Sequence, residues 1–105
     1  MEFYYFPAHG RGLFPRLVIA HLNLGDDEIK DLGVPVAQFL EDKKKYGGPV
    51  GQLPAIKFKD GKIMNQTGAL VRFLAKTYKA KDGTCLYPGP DDPTKSYQID
   101  LFIDS

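Results

Sequence analysis

Gly51-Gln-Leu-Pro-Ala-Ile-Lys-Phe-Lys-Asp-Gly-Lys-Ile-Met-Asn-Gln-Thr-Gly68 is the stretch on which the reading of the whole chain turns. Ile56 and Phe58 alternate with Lys57 and Lys59, the period-two pattern of a strand with one apolar face. Asp60-Gly61 is a dipeptide that supplies the positive φ angles of a two-residue hairpin turn, so residues 55–58 and 62–64 are predicted to pair antiparallel. From Thr67 the apolar period lengthens to about 3.6, with Leu70, Phe73, Leu74 and Tyr78 on one face, which predicts a helix directly after the hairpin. Leu53-Pro54 enters the hairpin and Gln66-Thr67 opens the helix. Polar main chain is available to a ligand at both places.

Working outward toward the N-terminus, residues 3–6 form a short aromatic run closed by Pro7, as expected of a buried strand ended by a residue that cannot donate to a ladder. Ala8-His-Gly-Arg-Gly12 is a loop. Residues 13–24 then carry apolar side chains on nearly every side, which predicts a helix covered on both faces. Pro15 is tolerable only in its first turn, and Gly25 is available as a left-handed cap after Asn23-Leu24. Residues 27–32 read weakly as a second strand joined to the first by a crossover. Pro35 starts a helical pattern through Val36, Phe39 and Leu40, followed by Lys43, Lys44 and Lys45 and the breaker Gly47-Gly-Pro49. The order is β-α-β-α-β-β-α, for which a four-stranded mixed sheet with helices on its faces, the thioredoxin-like α/β arrangement, is the economical solution. Asp-Gly, Tyr-Pro, Gly-Pro and Asp-Pro pairs mark residues 80–93 as a linker after a domain spanning 1–79. Residues 94–105 restart an apolar period, the expected beginning of a helical domain.

With 105 residues the chain is one domain at most plus that start, and a chain of this size buries roughly two-thirds of its extended surface. Fourteen basic residues face thirteen acidic ones, a net charge of +1 that makes no electrostatic case for nucleic acid. No apolar stretch approaches the roughly 20 residues needed to span a bilayer, and no secretory leader pattern is present, so a cytoplasmic, reducing setting is expected. Cys85 is the single cysteine, which excludes an internal disulfide and the CxxC redox chemistry common on thioredoxin-like folds. His9 and His21 lack a second ligand at metal spacing, and no metal site is expected.

Tyr5-Phe-Pro-Ala-His-Gly-Arg11, Gly51-Gln-Leu-Pro54 and Gln66-Thr-Gly-Ala69 together resemble the N-terminal domain of cytosolic glutathione transferases of the tyrosine-dependent branch (alpha, mu, pi and sigma classes). They stand in that family's order and near its spacing. Leu86-Tyr-Pro88 and Ile99-Asp100 are similar to its linker and first C-terminal helix, so the resemblance covers nearly all of the chain. Two positions depart from it: Phe39 falls where most members have tryptophan, and Thr67 where they have serine. Phe39 has no indole N–H to donate, whereas Thr67 keeps the hydroxyl.

Glutathione presents two carboxylates, an amine, two amides and a thiol, so a site for it needs anion-binding ends around a thiol activator. Its thiol ionises near pH 8.5, and lowering that by two units requires about 2.7 kcal/mol of preferential thiolate stabilisation. A hydrogen bond donated to sulfur in a partly dry site is a sufficient source. The resemblance implies Tyr5 as that donor, against the plainer reading of a strand aromatic with its hydroxyl at the surface. Tyr4 is expected on the opposite face of the strand.

The same resemblance implies Arg11 in support of Tyr5 or of a carboxylate, Lys45 on the glycyl carboxylate, Gln52 with Leu53-Pro54 at the middle of the peptide, and Phe39 among the glutathione-binding residues. The alternatives are a solvated arginine and a solvated lysine face. Leu53-Pro54 is similar to the family's cis-proline turn, which leaves Leu53 free to pair with the cysteinyl unit in strand fashion. Gln66 and Thr67 would hold the γ-glutamyl carboxylate at a helix N-terminus, unless Thr67 only caps its own helix.

These residues imply a glutathione transferase: a domain that takes glutathione as co-substrate, without a metal, and activates its thiol for conjugation to a small apolar electrophile. Such a protein is a homodimer when full length and serves detoxification. The rival reading is a catalytically silent transferase-like domain acting as a scaffold in a larger complex, which Phe39 favours and the tyrosine motif disfavours. Without the rest of a helical domain, the apolar helix of residues 13–24 is expected to lose a cover and expose an apolar patch.

Overall fold

A computed structural model describes residues 1–8 and 10–104. His9 and Ser105, and the expectations attached to them, lie outside the described residues. Strand β1 (Glu2–Tyr5) leads through a 3₁₀ turn (Gly10–Gly12) into α1 (Leu13–His21). Strand β2 (Lys30–Gly33) is followed by α2 (Val36–Glu41), α3 (Lys43–Gly47) and a second 3₁₀ turn (Gly48–Val50). Then come β3 (Ala55–Lys57), β4 (Ile63–Asn65), α4 (Thr67–Thr77) and, after the irregular stretch 78–92, α5 (Pro93–Asp104). The strands lie in the order β2-β1-β3-β4. β1 runs parallel to β2 and antiparallel to β3, which pairs antiparallel with β4, giving the expected mixed sheet.

Alternation along β1 sends its side chains to two separate cores. Phe3, fully buried, packs with Val18 and Leu22 of α1, Ile56 of β3, and Leu70, Val71 and Leu74 of α4. Tyr4 faces the other way, into a smaller cluster with Val34, Phe39 of α2 and Tyr46 of α3. Phe3, Ile56, Leu70 and Leu74 are the largest completely buried apolar chains besides Pro15, and truncating any of them to alanine costs about 2–5 kcal/mol.

The hairpin forms where expected but turns differently. Only Gly61 takes a positive φ, at 92°, while the Gly61 N–H donates to the Phe58 carbonyl and the Phe58 N–H to that of Lys62. This is a three-residue loop, Lys59-Asp60-Gly61, in which a single glycine supplies the left-handed step. The Asp60 carboxylate accepts the Lys62 N–H at 3.0 Å, so aspartate serves the turn through its side chain and not through its φ.

Three other expectations shift. Helix α1 ends at His21, and Asn23 with φ 55°, not Gly25, is its left-handed cap. Bonds from Asn23 N–H to Ala20 and from Leu24 N–H to Ile19 close a Schellman turn there, a position asparagine tolerates because its short polar chain suits that conformation. Strand β2 starts at Lys30 because Glu28 and Ile29 are still tied by their N–H groups to the Gly25 carbonyl. As an edge strand with mostly exposed side chains, it has little burial to impose an apolar alternation. The lysine run forms a helical turn of its own, because the Asp42 carboxylate accepts the Lys45 N–H and restarts the helix after α2.

Helix α1 is covered by the sheet and α4 on one side only; Leu17 is 57% exposed. Part of the remaining face meets α5, where the rings of Phe14 and Phe102 stand edge to face at 6.1 Å. Helix α5 itself is pinned to α4 by Arg72, which donates to Asp100 and Asp104, both at 2.8 Å, and Tyr87 donates to Asp100. No helix among the described residues is long and apolar enough to cross a membrane.

Candidate functional site

The end of β1, the turn that follows it and the start of α4 meet at one place. The Tyr5 hydroxyl accepts the Arg11 N–H at 3.2 Å. The Thr67 hydroxyl donates to the Arg11 carbonyl at 3.1 Å. One peptide unit on each side of Arg11 therefore ties Tyr5, on the first motif, to Thr67, on the last. Glycines make the approach possible: a Cβ on Gly12 would stand 2.3 Å from the Tyr5 ring, and one on Gly10 would stand 2.8 Å from its oxygen. Gly10 also has φ 75°, a conformation that favours glycine.

Gln66 holds the junction between β4 and α4 with φ 78° and ψ 119°, a strained position for a residue with a side chain, costing of order 1–3 kcal/mol. Its side chain does not cap the helix. Nor does Thr67, which stands at the first helical position and spends its proton on Arg11. The α4 N-terminus thus has no side-chain cap, and its dipole and free N–H groups favour an anion. In front of it lies a cleft of about 590 Å³ lined by Arg11, Gln66, Thr67 and Gly68 together with Phe14, Ile103 and Asp104.

The second motif approaches from the hairpin side. The Leu53–Pro54 bond is cis, as the resemblance implies. Leu53 is half-buried, and its main chain makes no hydrogen bond to another main-chain group among the described residues. The Gln66 amide nitrogen lies 3.4 Å from the Gln52 side-chain oxygen, a long bond that brings the second and third motifs together.

Two of the expected residues do not line this cleft. Phe39 is 7% exposed in the core under α2, with its ring edge to face with Phe6 at 5.5 Å, so it packs beneath the loop and has no polar group to offer a ligand. Lys45 is exposed outside the cleft, its ammonium 5.2 Å from the centre of the Tyr46 ring. His21 is exposed at the end of α1, and no group of three or more potential metal ligands occurs among the described residues.

Tyr4 confirms the reading of strand alternation. Its hydroxyl donates to the Glu2 carboxylate at 2.9 Å on the opposite face from Tyr5, and burial together with that carboxylate pushes its phenol up to about 12.

Residues outside the motifs also build the site. Asn65 donates from one amide to the carbonyls of Gly47, at 3.0 Å, and Gln52, at 2.7 Å, and so holds the Gln52 loop against the end of α3. Gly47 must be glycine there, since a Cβ would meet the Gln52 nitrogen at 2.4 Å. Arg16 bonds to Asp31 and to two carbonyls of the loop after β1. The sequence signal for it is a charged residue inside an otherwise apolar helix.

No protein-family model matches the sequence, and no curated protein does. Solved structures do match. A glutathione S-transferase domain-containing protein of Marinobacter aquaeolei VT8 superposes with a TM-score of 0.75 at 19% identity, over 96% of this chain and 47% of its own. A C. elegans glutathione transferase gives a TM-score of 0.72 at 25% identity, over 98% of this chain and 44% of its own. Prostaglandin synthase D of Nilaparvata lugens gives 0.73 at 25% identity, over 98% of this chain and 45% of its own. The chain spans a little under half the length of each of these. It has the thioredoxin-like fold of the N-terminal domain of glutathione transferases, followed by the start of a further helix.

Proposed function

We infer that the chain binds glutathione and activates its thiol for conjugation to a small electrophile, in the manner of the tyrosine-dependent transferases. The observation that carries this reading is the double use of the Arg11 main chain, which joins the Tyr5 hydroxyl to the α4 N-terminus, with Arg11 and Thr67 lining one polar cleft. Because the Tyr5 oxygen accepts from Arg11, the phenol proton is left to donate to a sulfur, and accepting one bond strengthens the other. The γ-glutamyl carboxylate takes the uncapped N–H groups at Gln66-Thr67, beside Arg11. The cysteinyl unit pairs with the open main chain of Leu53 ahead of Pro54, with Gln52 beside it, and Lys45 reaches the glycyl carboxylate. Phe39 contributes by supporting the loop from below.

In this reading residues 1–79 are the glutathione domain, 80–93 the linker and 94–105 the start of a helical second domain that completes the electrophile site. The full-length protein is then a cytoplasmic homodimer that detoxifies apolar electrophiles. A scaffold role in an assembly is the second reading, favoured by the apolar surface that α1 and α5 leave exposed at Leu17, Tyr97 and Leu101.

Retention on immobilised glutathione, followed by conjugation of a chromogenic aryl halide, separates the two. Retention at millimolar glutathione with turnover that depends on Tyr5 is expected. A chain that passes through unretained leaves only the scaffold reading.

A further inference from the structure

We propose that Arg16, which belongs to none of the motifs, is the residue that positions Tyr5; its bearing on catalysis rests on the glutathione reading above, while its geometric part does not. Its side chain is largely buried, at 22% exposed. It bonds in two directions. Nε and Nη2 donate to the two oxygens of Asp31 on β2, at 2.7 and 3.2 Å. Nη1 donates to the carbonyls of Phe6, at 3.1 Å, and Ala8, at 2.8 Å, in the loop that carries the chain from Tyr5 toward Arg11. The guanidinium carbon lies 5.6 Å from the centre of the Tyr5 ring and equally far from that of Phe3.

Two carbonyls converging on one point repel each other unless a cation stands between them. Arg16 supplies it, and the planar fork lets the same group hold Asp31 on its other edge. The loop is thereby folded back so that the Arg11 N–H reaches the Tyr5 oxygen, while the ring is held between the glycines in front and the guanidinium behind. Lysine presents a single ammonium and reaches either the carbonyls or Asp31, not both. Arg16 from α1 thus faces the Tyr5 ring with its partner Asp31 from β2 behind it, and Arg11 from the turn meets the Tyr5 oxygen through its N–H.

The test uses the 105-residue chain with 13C-labelled tyrosine and 15N, in wild type, Arg16→Lys and Arg16→Gln. Without any ligand, the Tyr5 Cζ and Arg11 amide resonances are expected to move in both variants while the Tyr4 Cζ resonance stays. Arg16→Lys keeps a cation and an aliphatic stem, so it provides a folded case if Arg16→Gln does not fold. With glutathione, the affinity should change less than threefold, while the ultraviolet thiolate band of the bound ligand should titrate about one pH unit higher. A lowered melting temperature with Tyr5, Arg11 and the thiolate titration all unchanged means a merely structural arginine and overturns the proposal. Moved resonances in a protein whose wild type binds no glutathione refute the proposed function and uphold the positioning of Tyr5.

Discussion

Tyr4 and Tyr5 are neighbours in one strand with the same side chain, yet the fold gives them opposite tasks. Tyr4 turns to the α2–α3 face, is 6% exposed and bonds to a carboxylate, which holds its phenol in the protonated form. Tyr5 turns to the α1–α4 face, is half-buried and accepts the main-chain N–H of Arg11. The difference comes from the two-residue period of the strand and from what each face is packed against. A buried phenol with an acceptor for its proton is a structural post. One whose oxygen already accepts a bond, with the proton uncommitted, is a donor in waiting.

Exchange of the two hydroxyls for hydrogen tests the contrast most directly. Tyr5→Phe is expected to raise the apparent ionisation of bound glutathione thiol by about two pH units and to lower turnover at neutral pH about 100-fold, equivalent to about 2.7 kcal/mol. Tyr4→Phe should leave both unchanged. Equal losses in the two variants, read by stopped-flow titration of the thiolate band, would remove the distinction between the faces.

The reverse contrast lies in alkaline stability. Burial first, and then Glu2, raise the Tyr4 phenol to about 12, whereas in the unfolded chain it ionises near 10. Between those values the folded chain keeps a proton that the unfolded chain has lost. The stability contributed by Tyr4 is therefore fully present below pH 10 and declines as the pH rises through 12, by up to about 2–3 kcal/mol. Tyr78, raised by burial and by Glu28, acts in the same direction. The quantity to measure is consequently the difference between wild type and Tyr4→Phe in urea unfolding at pH 9 and pH 11.5. A slope that survives in Tyr4→Phe would assign the effect to Tyr78 or to Tyr87, whose phenol is raised by its bond to Asp100.

Gly12→Ala sharpens the comparison from the Tyr5 side. Gly12 has φ −82° and ψ −14°, a backbone any residue adopts, so the whole effect comes from the new Cβ. It would stand 2.3 Å from one ring atom of Tyr5 and 2.4 Å from the next, and the ring must move. A cost of about 1–3 kcal/mol in stability is expected, with loss of turnover and no change at Tyr4. Near-wild-type activity would mean that the position of the Tyr5 ring is not critical.

What could be read in advance follows from where the information resides. The hairpin, α4 and the opposed faces of β1 are legible because burial on one side imposes a period on the side chains. Strand β2 was displaced by three residues at its start because, on an exposed edge, no such period exists. The end of α1 depended on a left-handed main chain at Asn23 and the start of α3 on the Asp42 carboxylate, local choices that a pattern does not rank. Tyr5, Arg11, Gln66 and Thr67 were recognisable as residues of interest. Their connection was not, because it runs through the N–H and carbonyl of Arg11, which every amino acid but proline carries. The packing of Phe39 was hidden for a related reason: its motif position says nothing of the aromatic cluster that buries it.

Thr67→Val probes that main-chain connection with the smallest change of shape. Valine keeps the β-branch, the volume and nearly the same helix propensity, so α4 should start where it does now. The change removes the proton that Thr67 donates to the Arg11 carbonyl, and with it the link between the α4 N-terminus and the turn beside Tyr5. The bond is exposed and water can replace it, which limits the cost in stability to about 0.5–1 kcal/mol. Glutathione should respond more clearly, with KM rising about threefold to tenfold and kcat nearly constant. The γ-glutamyl end then loses its alignment while Tyr5, still held by the Arg11 N–H, keeps its own. Thr67→Ser restores the proton and should restore KM. If valine and serine give the same KM as threonine, the hydroxyl is incidental, and the α4 N-terminus and Tyr5 are positioned independently.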